Sequence, residues 1–481
     1  MPKGLLLFLL ASLVFGLAYA QAPLYYSNQN QYFLHGLAQA HVGLLDDDWL
    51  ANTDDPTPLF SAFVAFTARR LHPFLFHVCY ALLLGVFLLS VVAIFRHIAA
   101  ERDSVCLRLV FAAVVTMSFG ALGRYFSNRV VGLDLPWYVQ AGVAGQYVLG
   151  AMLQPSSLGI LLVLALALYA RGKPFLAILA ACVGATIHTT YLLAAGMLTA
   201  GFMLDLWRQG HGQRAILAGA WAFALVLPVC VYVYFAFGPT SSDAFRQAQD
   251  ILVDFRIPHH CLPHLWFDKI AVTQIAWMLL GVALSYGTRL FIPLVVATLL
   301  ATLLTVLQVA TGSDTLALLF PWRVSAIIMP VATAVILARL VLLVRRWLDN
   351  RQAMIGAALI LGVWALAGLA IMVFRLGFQN MWQELPLMEW VRDNTKKGDV
   401  YLIPPEIPEP PLKVTTHGSL SSDFKSLAEK KTDKRIIPID LMRFRLEAEA
   451  PIYVDFKAIP YRDRDVLEWK RRLDFAQAAR P

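Results

Sequence analysis

Residues 41–58 read HVGLLDDDWLANTDDPTP and set five carboxylates, Asp46, Asp47, Asp48, Asp54 and Asp55, within ten positions. The whole chain is only 15% charged, and apolar stretches precede and follow this one. Ionised carboxylates are costly in hydrocarbon, so the stretch is a loop between membrane spans, at the aqueous face or in a hydrated cavity. It reads either as a solvated acidic loop or as the polar floor of an active site. Spacing alone leaves both open.

Working outward, 58% hydrophobic residues and a mean hydropathy of +0.62 over 481 residues are too apolar for a soluble globule. Many runs exceed the roughly 18 apolar residues that a bilayer crossing needs. The fold class is therefore a polytopic α-helical membrane protein. Cys79, Cys106, Cys182, Cys230 and Cys261 lie mostly inside apolar runs with no CxxC pair, which argues against a disulfide framework or a zinc finger. Net charge is +8, yet from Phe378 onward there are 18 Lys+Arg against 17 Asp+Glu, so the excess sits in the membrane part. A nucleic-acid footprint concentrates charge on a soluble domain, so no nucleic-acid partner is expected.

The chain divides into a first transmembrane or signal-anchor helix (1–22), an acidic loop (23–72), a multi-pass domain (73–374) and a soluble tail (378–481). Lys3 precedes the apolar run 4–18, and Ala18-Tyr19-Ala20 resembles a signal-peptidase site, so this segment is either cleaved or an uncleaved span. Both alternatives put the acidic loop on the extracytoplasmic side. Further spans follow, and residues 136–155 read as an interfacial stretch. Basic residues flank 175–203 at both ends (Lys173, then Arg208 and Arg214), which calls for two short helices with His188-Thr189-Thr190-Tyr191 at their tip. Counting gives about eleven transmembrane helices, with the N-terminus cytoplasmic and the tail extracytoplasmic.

After Phe374 the composition changes. Residues 399–403, 436–439 and 452–456 read as strands, and 385–394, 421–431 and 463–473 as helices, with a Pro-rich linker from Pro404 to Pro411. Alternation of this kind predicts a small α/β domain.

The unusual polar residues gather on the predicted outer face. Asp48 and Asp55 are the preferred candidates for a general base, with Asp47 and Asp54 beside them, because a positioned carboxylate can deprotonate an acceptor hydroxyl. Arg124, His188, Arg256 and Arg323 are candidates for binding a phosphate and stabilising charge on it as it leaves. Each has a plainer reading as an interfacial anchor or a satisfied buried group. His259, His260 and His264 are ligand-type residues that admit a divalent metal, although adjacent histidines lack the i, i+4 placement of a helical site.

The layout resembles the GT-C superfamily of membrane glycosyltransferases, which carry a first span, an outer acidic loop, many further spans and often an outer C-terminal domain. More closely, NQNQYFLHGLA (28–38), DDDWLANTDDPTP (46–58), HTTY (188–191), RIPHH (256–260), PWR (321–323) and PIYVDFKAIPY (451–461) look like a family of uncharacterised bacterial multi-pass proteins. No WWDYG-type motif is present. The resemblance implies a bacterial plasma-membrane enzyme that transfers a sugar from a polyprenyl-phosphate-linked donor at the outer face. Its acidic-loop carboxylates would supply the base. The alternatives are a transporter or flippase of a lipid-linked or anionic substrate, and a non-catalytic assembly protein.

Topology follows from charge alone. Reporter fusions in the 345–351 loop, with Arg345, Arg346 and Arg351, are expected to read cytoplasmic, and fusions after Phe378 extracytoplasmic. A cytoplasmic tail would overturn the shared outer face.

Overall fold

The computed structural model describes residues 3–378, 384–405 and 443–479, and every element in it is helical. Among the described residues six helices are long and apolar enough to cross a membrane: Phe74–Arg102, Thr189–Arg208, Gly212–Phe237, Phe291–Thr311, Asp314–Leu343 and Arg351–Val373. Val105–Phe119 and Ala121–Val131 qualify together, bent by 46°, and make a seventh if taken as one span. Lys3–Tyr19, Pro155–Ala170, Pro174–Ile187 and Lys269–Leu284 are apolar but shorter. The expected eleven spans are thus six or seven by length. The 17 residues of Lys3–Tyr19 reach about 25 Å at the α-helical rise, short of a hydrocarbon core of about 30 Å.

Sequence decides which helices sit inside. Ser325–Leu343 is buried nearly all round, from Ala326 through Ile336, and it is apolar on every face. Gly212–Phe237 buries only Ala215, Ala218 and Val229, so its apolar surface faces outward. Lys3–Tyr19 packs on Phe74–Ala99 through small residues. A Cβ placed on Gly16 would lie 2.9 Å from that of Ala81, and one on Gly85 would meet Ser12 Oγ at 2.0 Å. Small residues of this kind let two backbones approach closely in a membrane. The predicted break at His188 is present, with Pro174–Ile187 ending there and a 3₁₀ turn at Thr189–Tyr191 leading into Leu192–Arg208.

The stretch 136–155 is not interfacial. Much of it is buried irregular backbone inside the helical body, from Gln140 to Ala144 and from Val148 to Leu153. Its carbonyls are met by side chains from all around. Tyr19 Oη donates to Leu149 O at 2.7 Å, and Tyr80 Oη donates to Gly150 O. Gln29 Nε2 donates to Leu153 O at 2.9 Å, and Gln274 Nε2 to Ala141 O at 3.0 Å. Thr333 Oγ1 donates to Val139 O at 2.5 Å, and His260 Nδ1 to Ala144 O at 2.6 Å. Buried non-helical backbone persists only when such partners exist.

The expected α/β tail is corrected. Among the described residues there is no strand, only one isolated parallel bridge between Tyr401 and Ile452. Tyr401 N donates to Pro451 O at 3.0 Å and Tyr453 N to Tyr401 O at 2.8 Å. Pro404 and Pro405 follow at once, and Pro405 has no N–H with which to extend a ladder. The expected strand 436–439 and helix 421–431, and most of the Pro-rich linker, lie outside the described residues. Leu385–Asn394 and Asp463–Ala478 are helical as expected.

The tail folds onto the acidic loop. Asp48 is fully buried, and its Oδ1 accepts from Leu50 N at 2.9 Å. Its Oδ2 accepts from Ile452 N at 3.0 Å and lies 3.0 Å from Arg445 Nε, without the alignment of a hydrogen bond. Arg445 Nη1 also sits 3.1 Å from Asp455. Gly43 makes the approach possible: its φ is +54°, and a Cβ there would strike Glu449 O at 2.4 Å. Leu44 N donates to that same oxygen at 2.9 Å.

Removing one member of a buried ion pair typically costs about 3–5 kcal/mol, because the partner charge is left uncompensated. Arg445→Met is therefore expected to lower the melting temperature in detergent and to expose the tail to trypsin. Arg471→Ala, which breaks an exposed pair with Glu468, is expected to leave both unchanged.

Candidate functional site

A cavity of about 400 Å³ lies where the acidic loop, the His188 turn, the segment after Gly212–Phe237 and the tail meet. That volume falls within the usual range of small-molecule sites. Tyr32, Thr57, His188, Thr189, Thr190, Tyr461 and Asp463 supply its polar wall, with Pro56 lining it beside them. Val233, Phe237, Phe245, Leu252, Leu318 and Leu319 supply an apolar one. The lining is amphiphilic.

His188 is 2% exposed and reaches the cavity from the helix break. Arg323 Nη2 lies 2.9 Å from its Nε2. A guanidinium has no acceptor, so Nε2 accepts and the ring proton sits on Nδ1. His188 Nδ1 is buried and has no hydrogen-bond partner among the described residues. Burial, reinforced by the nearby Arg323 charge, holds the imidazole well below its ordinary pKa. The residue is thus a neutral ring with one unspent N–H. Arg323 itself is committed: Nη1 donates to Gln146 Oε1 at 2.6 Å, and the guanidinium lies 5.2 Å from the Tyr191 ring centroid.

The acidic loop splits by position. Asp46 and Asp47 are exposed, with Asp46 3.2 Å from His41. Asp48 is locked to the tail, with both oxygens engaged. Asp54 pairs with Arg462 at 3.1 Å, tying the loop to the tail a second time. Asp55 directly precedes the lining residues Pro56 and Thr57. Its Oδ1 accepts from Thr57 N at 2.8 Å, while Oδ2 is buried with no hydrogen-bond partner among the described residues. Tyr232 Oη donates to the Asp55 carbonyl at 2.6 Å and pins the loop to Gly212–Phe237.

The other candidates lie elsewhere. Arg124 is 1% exposed and bound to Asp134 through Nη2 at 2.6 Å and Nε at 2.9 Å, with Trp137 stacked beneath it. It does not line the cavity. Arg256 Nη2 donates to Lys457 O at 2.5 Å, and the guanidinium lies over Phe456. The His259 and His260 rings lie with centroids 4.0 Å apart and their planes tilted by 49°, whereas His264 is exposed. Among the described residues no three His, Cys, Asp or Glu side chains are placed to hold a metal. The three histidines therefore do not form the triad that their spacing suggested.

Tyr461 and Asp463 were not among the residues expected at the site. Asp463 holds the cavity wall together by accepting from Thr240 N at 2.7 Å and Thr240 Oγ1 at 2.5 Å. Gln31 Nε2 donates to Tyr461 Oη at 2.8 Å. NQNQY and AIPY carried that signal only as quoted motifs, since nothing local says that they meet.

Residues 426–475 match a family described as a domain of unknown function, DUF6798. No curated protein and no solved structure shows significant similarity to the chain. The matched segment includes Arg445 and Arg462, which pair with Asp48 and Asp54 of the loop, and Tyr461 and Asp463, which line the cavity.

Burial, with the charges of Arg256 and Lys457 adding to it, lowers the His259 pKa to about 4. Above about pH 6.5 both folded and unfolded forms are neutral there and nothing is lost. Below it the unfolded chain binds a proton that the folded chain refuses, so stability falls until about pH 4. The loss is about 3 kcal/mol. The melting temperature is therefore expected to drop between pH 6.5 and 4, and His259→Gln to flatten that drop. A pH-independent melting temperature in the parent protein would contradict the assignment.

Proposed function

We propose that the chain is a GT-C-like membrane glycosyltransferase that takes a sugar from a polyprenyl-phosphate-linked donor. One observation carries the reading: Asp55, whose Oδ2 is buried with no hydrogen-bond partner among the described residues, directly precedes the cavity-lining Pro56 and Thr57, and His188, whose Nδ1–H is likewise buried and unpaired among them, lines the same cavity. A base and a hydrogen-bond donor are the two parts that this transfer requires.

Asp55 Oδ2 accepts the proton of the acceptor hydroxyl as its oxygen attacks the anomeric carbon. The bond from that carbon to the phosphate oxygen breaks, and the phosphate leaves with the electron pair. His188 Nδ1–H donates to the departing oxygen, and Arg323 behind it fixes the tautomer and adds positive field. The apolar wall from Val233 to Leu319 takes the first part of the lipid chain. Asp48 acts through architecture, as the anchor of the tail that closes the cavity.

A transporter or flippase is the second reading. The irregular backbone inside the helical body favours it, because transporters use broken helices to line substrate paths.

In membranes supplied with a polyprenyl-phosphate sugar, Asp55→Asn is expected to cut transfer by roughly 10²–10⁴-fold with normal expression and melting. Asp47→Asn is expected to change nothing, and Asp48→Asn to lower the melting temperature. Undiminished transfer by Asp55→Asn would remove the base. Translocation of the labelled lipid by reconstituted protein, without sugar transfer, would favour the second reading.

A further inference from the structure

The helix Pro58–Arg70, which follows the acidic stretch, is inside out for a helix in water. Leu59 and Phe66 are 53% and 58% exposed, and Ala62 is exposed between them. At i, i+3 and i+7 these three make one outward stripe. Ser61 and Thr67 are buried, and neither hydroxyl has a hydrogen-bond partner among the described residues. That inner face packs closely on Leu34–Gln39: a Cβ placed on Gly36 would meet Ser61 O at 2.5 Å and Val64 Cβ at 2.6 Å. A surface helix in water normally shows the reverse, with polar side chains outward.

The surroundings of the stripe are apolar too. Only Leu71, His72 and Pro73 separate this helix from the membrane-crossing helix that begins at Phe74, and Phe74 is itself exposed. Pro174–Ile187, which packs against Pro58–Arg70, exposes Leu179 and Val183. Toward the membrane span the exposed face changes to Arg69 and Arg70. Among the described residues neither guanidinium has an ion-pair partner.

We infer that Pro58–Arg70 lies in the surface of the bilayer, with Leu59, Ala62 and Phe66 among the acyl chains and Arg69 and Arg70 on the phosphates of anionic phospholipids. Leucine and phenylalanine on one face with arginine at its edge is the composition of an interfacial helix. Basic side chains at that boundary attract anionic headgroups. The three-residue joint to the span holds the stripe at the bilayer surface, which favours lipid over a second copy of the chain. Pro56 and Thr57 line the candidate cavity at the other end of this helix, so the same contact holds that wall beside the lipid.

The test is photocrosslinking of the full chain in nanodiscs of equal phosphatidylcholine and phosphatidylglycerol. The probe p-benzoylphenylalanine stands in place of Leu59, of Phe66 or, as a water-facing reference, of the exposed Asp47. Mass spectrometry of the adducts identifies what each position touches. Positions 59 and 66 are expected to give lipid adducts about fivefold above position 47. Phosphatidylglycerol is expected to exceed phosphatidylcholine among them by about twofold. Arg69→Gln combined with Arg70→Gln is expected to bring the two lipids to parity while the total lipid yield stays. Melting temperature reports that each variant is folded; position 62 replaces an unfolded probe variant, and the single Arg→Gln changes replace an unfolded double one. Lipid adducts no more frequent than at position 47, adducts to a second copy of the chain in their place, or a phosphatidylglycerol preference that is absent from the parent or undiminished without the arginines would overturn the inference.

Discussion

The interior of this protein contains a run of backbone that is neither helix nor strand, and its carbonyls need donors. A helix satisfies its own peptide groups, but residues 139–153 do so only in part, as where Gly142 N donates to Gln146 O and Gln146 N to Val143 O. Each unmet group in a dry interior costs about 1–3 kcal/mol. Tyr19, Gln29, Tyr80, Gln274, Thr333 and His260 meet that need, and they come from helices scattered along the chain. The helical body is therefore organised around a non-helical centre. Ser325 Oγ donates to Trp322 O and accepts from Val143 N, joining the same centre to the most buried helix.

The site inherits its geometry from that arrangement. Gln146 belongs to the irregular run and accepts from Arg323, whose other terminal nitrogen reaches His188. The ring orientation at the cavity is thus set by backbone packing some distance away. Arg323 here holds the His188 ring, whereas the sequence offered it as a phosphate-binding group or as an interfacial anchor. Arg124 likewise belongs to the body: its pairing with Asp134 fastens the entrance to the irregular run.

Local patterns made part of this legible. Apolar runs located the membrane helices, and the flanking charges at Lys173 and Arg208 located the break that carries His188. Span number was less legible, because hydropathy measures apolar length while helix ends at Tyr19, Ile187 and Leu284 are decided by packing. The five aspartates looked alike in sequence, yet one is a buried anchor, one is tied to Arg462 and one lies beside the cavity. Those roles depend on a tail several hundred residues away. The tail itself misled: short β-branched runs resembled strands, but prolines and the docking of Ile452 N onto Asp48 leave one bridge.

The bond from Ile452 N to Asp48 spans 404 residues. A ribosome adding about 5–20 residues per second needs roughly 20–80 s to cover that distance. Throughout this interval the acidic loop has been made but its partner has not. Asp48 then lacks the buried cation that balances it, and the cavity lacks the wall formed by Ile459, Tyr461 and Asp463. A chain interrupted before the tail is thus membrane-inserted but has no finished cavity. The site is therefore finished only after the tail has been made.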